Sequence, residues 1–185
     1  METLKAISQR ASLMVKISPR EIEQEKIEKV LDAARFAPSA INKQPWRFVV
    51  VQGKENVTKL VNETFANWNL KAGEAPVLIF AFANPKDDVV VGGREFYLFD
   101  VALAVENMIL AATDMGLVTH LMTSLDEEKL KKSLEVPNEV RFVVATPLAY
   151  PVNGSYEKAV EERLKARTRK SLPELVFRNV WGNIS

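Results

Sequence analysis

Between Glu95 and Met115 the chain carries Phe96, Phe99, Leu103, Met108, Leu110 and Ala111, so spaced that a helix wound from this stretch is apolar almost all the way round. Such a helix has no face suited to water. It belongs in the centre of an assembly, and the other elements have to pack onto it. Gly116 is placed to end it. With 185 residues, of which 47% are hydrophobic, the chain has the size of one domain, 1–185, and enough apolar surface for a sizeable core.

Periodicity predicts what packs around that centre. Leu4, Ile7 and Ala11 suggest a short first helix. Ser18-Pro19-Arg20-Glu21 reads as a capping box, so a second helix is expected from about Pro19 to before Pro38, with Ile27, Val30, Leu31 and Ala34 as its inner stripe. Trp46 to Val51 and Val77 to Ala83 read as buried strands, separated by a helix from Glu55 to about Leu70. A third strand is expected over Val118 to Met122, a short charged helix over Leu125 to Leu134, and a fourth strand over Arg141 to Tyr150, broken at Pro147. A last helix near Tyr156 to Ala166 precedes a basic knot and the apolar tail Leu172 to Trp181. Helices and strands alternate without repeat or linker, so the class is α/β or α+β around one sheet. Leu175, Val176, Phe177, Val180 and Trp181 follow an already complete core, and a partner subunit is the simplest cover for them.

Composition removes several chemistries. Lys and Arg number 25 against 24 Asp and Glu, a net charge of +1, which gives no global case for nucleic acid or an acidic membrane surface. Without cysteine there is no disulfide, thiolate nucleophile, iron–sulfur ligation or Cys-built zinc site, and the single histidine, His120, leaves little for a metal site. Carboxylate chemistry or a bound cofactor remains. Neither the amino terminus nor any later stretch has the apolar run of a signal peptide or membrane span, so a soluble cytoplasmic protein is expected.

Two constellations stand out. Ala37-Pro38-Ser39-Ala40-Ile41-Asn42-Lys43-Gln44-Pro45-Trp46 lies between a helix and a strand. Its prolines fix the backbone, while Ser39, Asn42 and Gln44 offer short polar groups to a planar heteroaromatic ring; an ordinary helix-to-strand connection fits as well. Arg163, Lys165, Arg167, Arg169 and Lys170 form an acid-free basic cluster, with Arg10 and Lys16 at the other end of the chain. It suits a phosphate, or equally a solvated helix end placed to favour the macrodipole. His120, alone on an apolar strand end, reads as a packing residue rather than a proton donor, and Val91-Gly92-Gly93-Arg94 as a turn rather than a phosphate cradle.

Arg10-Ala11-Ser12 followed by Ala37-Pro38-Ser39-Ala40-Ile41-Asn42-Lys43-Gln44-Pro45-Trp46-Arg47-Phe48 resembles the flavin-dependent nitroreductase family. The likeness continues through Asp100 to Gly116, Tyr150-Pro151, and Arg169 to Val176, so it spans essentially the whole chain. The resemblance implies a three-layer α+β fold with a mixed, mainly antiparallel central sheet flanked by helices, and a C-terminal tail extending onto the partner of a homodimer. It implies FMN at the subunit interface and NADH or NADPH as co-substrate. Arg10 and Ser12 would meet the ribityl phosphate or the pyrimidine edge of the ring, with Arg167 and Arg169 as further phosphate partners, and Pro38, Ser39, Ala40 and Asn42 of the other subunit would line the ring. Thr123 and Ser124 would offer backbone N–H groups to N5 and O4. The implied reaction is ping-pong hydride transfer through flavin N5 to a nitroaromatic, quinone or similar flat acceptor, with no protein nucleophile and no metal. A flavin carrier, sensor or specialised flavin-processing protein of the same fold is the competing reading. The chain departs from the family pattern at Ala11 and at Met14, where a basic residue is usual. Lys16 or Lys71 is expected to supply the missing charge near N1. Arg94 and Phe96, before the long helix, are candidates for substrate contact.

Overall fold

A computed structural model of the chain describes residues 2–12, 17–152 and 155–183. In chain order, α1 (Thr3–Gln9) and β1 (Ile17–Ser18) lead to α2 (Gln24–Arg35), β2 (Trp46–Gln52), α3 (Lys54–Thr64) and β3 (Val77–Ala83). The hairpin β4 (Val90–Val91) and β5 (Arg94–Glu95) opens into α4 (Tyr97–Asp114). The chain continues with α5 (Glu127–Ser133), β6 (Arg141–Leu148), β7 (Tyr150–Pro151), α6 (Tyr156–Lys165) and α7 (Leu172–Leu175).

The sheet is ordered β2-β3-β6 with both pairings antiparallel, and every residue of β3 is buried. Strand alternation divides β3 between two cores. Val77, Ile79, Ala81 and Ala83 face α2 and α4, while Leu78, Phe80 and Phe82 face Val57, Val61, Phe65 and Leu130 of the α3–α5 side. The result is a three-layer α+β fold with helices on both faces of the sheet. Among the described residues, parallel pairing is confined to one bridge between Ser12 and Thr119.

α4 is the helix that the apolar stretch requires, and nine of its residues are buried. It ends in a Schellman motif: Leu117 N–H donates to Ala112 O (2.9 Å), Gly116 N–H donates to Thr113 O (3.0 Å), and Gly116 sits at φ +73°. A Cβ there would meet nothing closer than Tyr156 Cβ at 3.9 Å, so the backbone conformation, not space, demands glycine.

Three expectations are corrected. α2 begins at Gln24, not near Pro19, because Ile17 and Ser18 pair with Pro151 and Tyr150 and are drawn into a strand. Tyr150 then anchors the true start of the helix: its hydroxyl donates to Glu23, accepts from Lys26 Nζ (2.6 Å), and with Lys26 and Arg20 holds the Glu23 carboxyl down to about 2. α3 stops at Thr64, where Asp126 N–H donates to Thr64 O (2.7 Å) and Ala66 N–H to Ser124 O (3.3 Å); the chain then runs through a 3-10 segment, Asn67–Glu74. Finally, β6 is continuous through Pro147 on its β3 side, where Pro147 sits opposite Leu78. The break falls on the other side. Val118 and Met122 pair with Ala149 and Ala145, but Pro147 has no N–H to offer His120 between them, and His120 N–H turns to Thr146 Oγ1 (3.0 Å) instead. The third strand is thereby reduced to isolated bridges.

Gly116→Ala should lower unfolding stability by about 1–2 kcal/mol in urea titration, the cost of holding a β-carbon at positive φ.

Candidate functional site

The two basic ends of the chain meet. Arg167 reaches back from the end of α6 to donate to Arg10 O (3.3 Å) and Ser8 O (2.8 Å), and Arg10 Nη1 donates to Ser12 Oγ (3.2 Å). Tyr156 OH, also on α6, accepts from Ala11 N–H (3.3 Å) and donates to Gln9 O (3.4 Å). These bonds dock the segment after α1 against α6 and form a cleft of about 280 Å3 lined by Arg10, Ala11, Ser12, Arg163, Ala166, Arg167 and Arg169. The lining has four guanidinium groups, one hydroxyl and no carboxylate, a donor set that fits a phosphate. Arg163 was part of the basic cluster but not among the expected site residues. Its position in the last turn of α6, four residues before Arg167, is the signal that could have grouped the two.

From this cleft the extended segment after α4 runs along the sheet edge. Ser12 bridges Thr119, and Thr123 and Ser124 follow four and five residues further along the chain. No hydrogen bond among the described residues uses the Thr123 or Ser124 N–H, whereas Leu125 N–H closes onto Thr123 O (3.1 Å). Asn69 Nδ2 donates to Ser124 O (3.5 Å), which brings the 3-10 segment carrying exposed Lys71 and Trp68 beside this end. Lys16 and Met14 lie outside the described residues. His120 is half-buried, with Nδ1 sealed off and lacking a partner among the described residues. Burial, reinforced by the field of Arg163, holds it below the ordinary 6.5.

The Pro38–Asn42 loop lies elsewhere. Ala40 N–H donates to Asp100 Oδ2 (2.7 Å) in the first turn of α4, and Gln44 N–H donates to Ser39 Oγ (2.9 Å). Gln44 Nε2 donates to Asn42 Oδ1 (3.1 Å). Ile41, Asn42 and Gln44 all have positive φ, at 51°, 57° and 48°. For a β-branched residue such as Ile41 this is strained, which is more than an ordinary connection needs. Val91-Gly92-Gly93-Arg94 is a hairpin turn with both glycines at positive φ, as expected, and Arg94 is exposed on it.

The expected site residues thus fall into two groups. Pro38 to Asn42 are tied to α4 at Asp100, and the arginine cleft is tied to it near Thr113 through Tyr156 (3.5 Å). Thirteen residues of helix separate those anchors, about 20 Å.

Fold and cleft together define an α+β protein with a basic cleft beside the end of its central helix. The sequence model of the nitroreductase family matches residues 7–72 and 66–150, and the chain belongs to that family. It is similar to two archaeal proteins, each named "Putative NADH dehydrogenase/NAD(P)H nitroreductase". The one from Methanothermobacter thermautotrophicus is 32% identical, covering 82% of this chain and 78% of its own. The one from Archaeoglobus fulgidus is 30% identical, covering 97% and 99%. Among solved structures, a nitroreductase family protein from Clostridium novyi NT is 31% identical with a TM-score of 0.76, covering 100% of this chain and 97% of the other. A nitroreductase-type protein from Desulfovibrio desulfuricans, solved in complex with FMN, has the same fold at 22% identity with a TM-score of 0.78 and 98% coverage of both chains.

Arg167→Met should release the segment after α1, seen as faster amide exchange at residues 8–12 and a loss of about 1 kcal/mol in stability. His120 should titrate below 6.5 by NMR. Because its folded value is depressed, it contributes stability above the unfolded value that is lost as pH falls below it, and His120→Gln should flatten that acid-side slope.

Proposed function

We propose that the protein is a homodimeric FMN-dependent oxidoreductase that takes hydride from NADH or NADPH and delivers it to a flat electron acceptor, a nitroaromatic, a quinone or a similar compound. The observation that carries this reading is the division of the site between opposite ends of α4. A phosphate-binding cleft and a strained polar loop about 20 Å apart cannot hold one small cofactor within one chain, but two chains packed antiparallel along α4 bring each cleft to the partner's loop. The surface suits such a pairing. Leu98, Phe99 and Ala102 leave an apolar stripe exposed on α4, and Leu4, Phe36, Ile41, Leu172 and Trp181 are exposed as well, Trp181 at 92%.

In this arrangement Arg10, Ser12, Arg167 and Arg169, with Arg163 added, hold the phosphate. Pro38, Ser39, Ala40 and Asn42 of the second copy line the ring, and the Thr123 and Ser124 N–H groups donate to its N5 and O4 edge. FMN, when bound, supplies the hydride-accepting and hydride-donating centre, which is the redox chemistry the side chains lack. The chain's own share is to exclude water, align the nicotinamide or acceptor over the ring, and stabilise negative charge at the pyrimidine edge, for which Lys71, on the 3-10 segment that Asn69 ties to Ser124, is the candidate cation. The FMN complex of a protein with this fold and the names of the archaeal relatives support the cofactor and the nicotinamide.

The purified protein should be yellow, bleach on anaerobic addition of NADH or NADPH, and recolour with a quinone. A yellow protein that nicotinamide leaves unbleached would favour the flavin carrier, and a colourless one that ignores added FMN removes the assignment. Arg169→Met should weaken FMN binding about tenfold without loss of fold. Lys71→Met should lower the flavin midpoint potential; an unchanged potential removes Lys71 from this role.

A further inference from the structure

Asp100 is an unusual residue for the first turn of a buried helix. It is 1% exposed, and its Oδ2 accepts the Ala40 N–H at 2.7 Å. The charge of Asp88, just before β4, acts on it. Asp88 Oδ1 accepts from Val89 N–H (2.7 Å), and Asp88 Oδ2 is buried with no donor among the described residues. No ion pair to either acid is found among the described residues: Lys43 and Arg94 are exposed, and Arg47 is engaged with the Gln44 and Trp46 carbonyls and lies 3.9 Å from Asp87.

We propose that Asp100 is the positioning residue of the ring-facing loop, holding Ala40 from inside α4. The proposal rests on the flavin reading for what the loop faces. Burial pushes the Asp100 carboxyl above its ordinary 3.8 against the pull of the Ala40 N–H, and the charge of Asp88 pushes it further the same way. The clamp sits where the β4–β5 hairpin closes, since Phe96 N–H donates to Val89 O (3.1 Å) and Asp100 N–H donates to Phe96 O (2.9 Å). It holds the Pro38–Asn42 loop there on a backbone whose positive φ angles at Ile41 and Asn42 would otherwise relax.

The test uses wild type, D100N and D100A in two measurements: FMN titration by fluorescence quenching, and urea unfolding of the FMN-free proteins over a range of pH. An asparagine at 100 can accept the Ala40 N–H through its Oδ1, so D100N should retain FMN affinity within about twofold while D100A loses about tenfold or more. A raised acid contributes stability that is present below its unfolded value and lost as pH rises through the folded one, so the stability of wild type relative to D100N should fall as pH rises from about 4. The proposal is overturned if D100A binds FMN like wild type, if D100N is as weak as D100A, or if the difference between wild type and D100N does not change with pH. Wild type that ignores FMN overturns the flavin reading instead, and amide exchange at Ala40 then decides the clamp: a rate unchanged in D100A rejects it. Should D100A fail to fold, the pH dependence of the difference between wild type and D100N decides.

Discussion

The burial of α4 is the constraint on which the rest depends. An 18-residue helix with nine buried side chains needs cover along its length, and α2, the sheet and α1 supply it on every side but one. Its ends then become the fixed points of the molecule. Asp100 at one end takes the Ala40 N–H, and Thr113 at the other meets the Tyr156 hydroxyl that docks the amino-terminal segment. Chemistry placed at those ends inherits the helix's length. A rigid spacer of about 20 Å explains why a chain with two polar constellations does not bring them together by itself.

Much of this was legible in the sequence where local pattern and tertiary environment agree. The apolar run of β3 read as a buried strand because it is covered on both faces. The basic clusters at the chain ends could be listed but not joined from residues alone, since their meeting depends on α6 folding back over Ala11. Where local and tertiary signals compete, the sequence misled. Ser18-Pro19-Arg20-Glu21 has the residues of a helix start, yet strand pairing with Tyr150 and Pro151 outweighs a cap whose value is about 1 kcal/mol. Pro147 signalled a broken strand, and a hydrogen bond is indeed missing, but in the neighbouring ladder, because a proline removes a donor from only one side of its strand. Asp100 gave no signal at all. A single acid within a helical pattern looks like a solvent-facing residue until the loop it holds is seen.

Electrostatics illustrate how averaging conceals structure. The net charge of +1 contains a cleft with four guanidinium groups and no acid in its lining, and about one helix length away two acids, Asp88 and Asp100, without an ion pair among the described residues. Opposite local charges thus sit at the two ends of one helix and cancel in the sum.

The left-handed backbone at Ile41, Asn42 and Gln44 has a consequence for how this chain can change. Each such residue costs on the order of 1 kcal/mol or more that glycine would recover. Glycine would also widen the conformations open to the free loop and loosen the surface it presents. Selection for heat tolerance and selection for a rigid binding surface therefore pull these three positions in opposite directions. A lineage that drifts toward glycine there trades recognition for robustness.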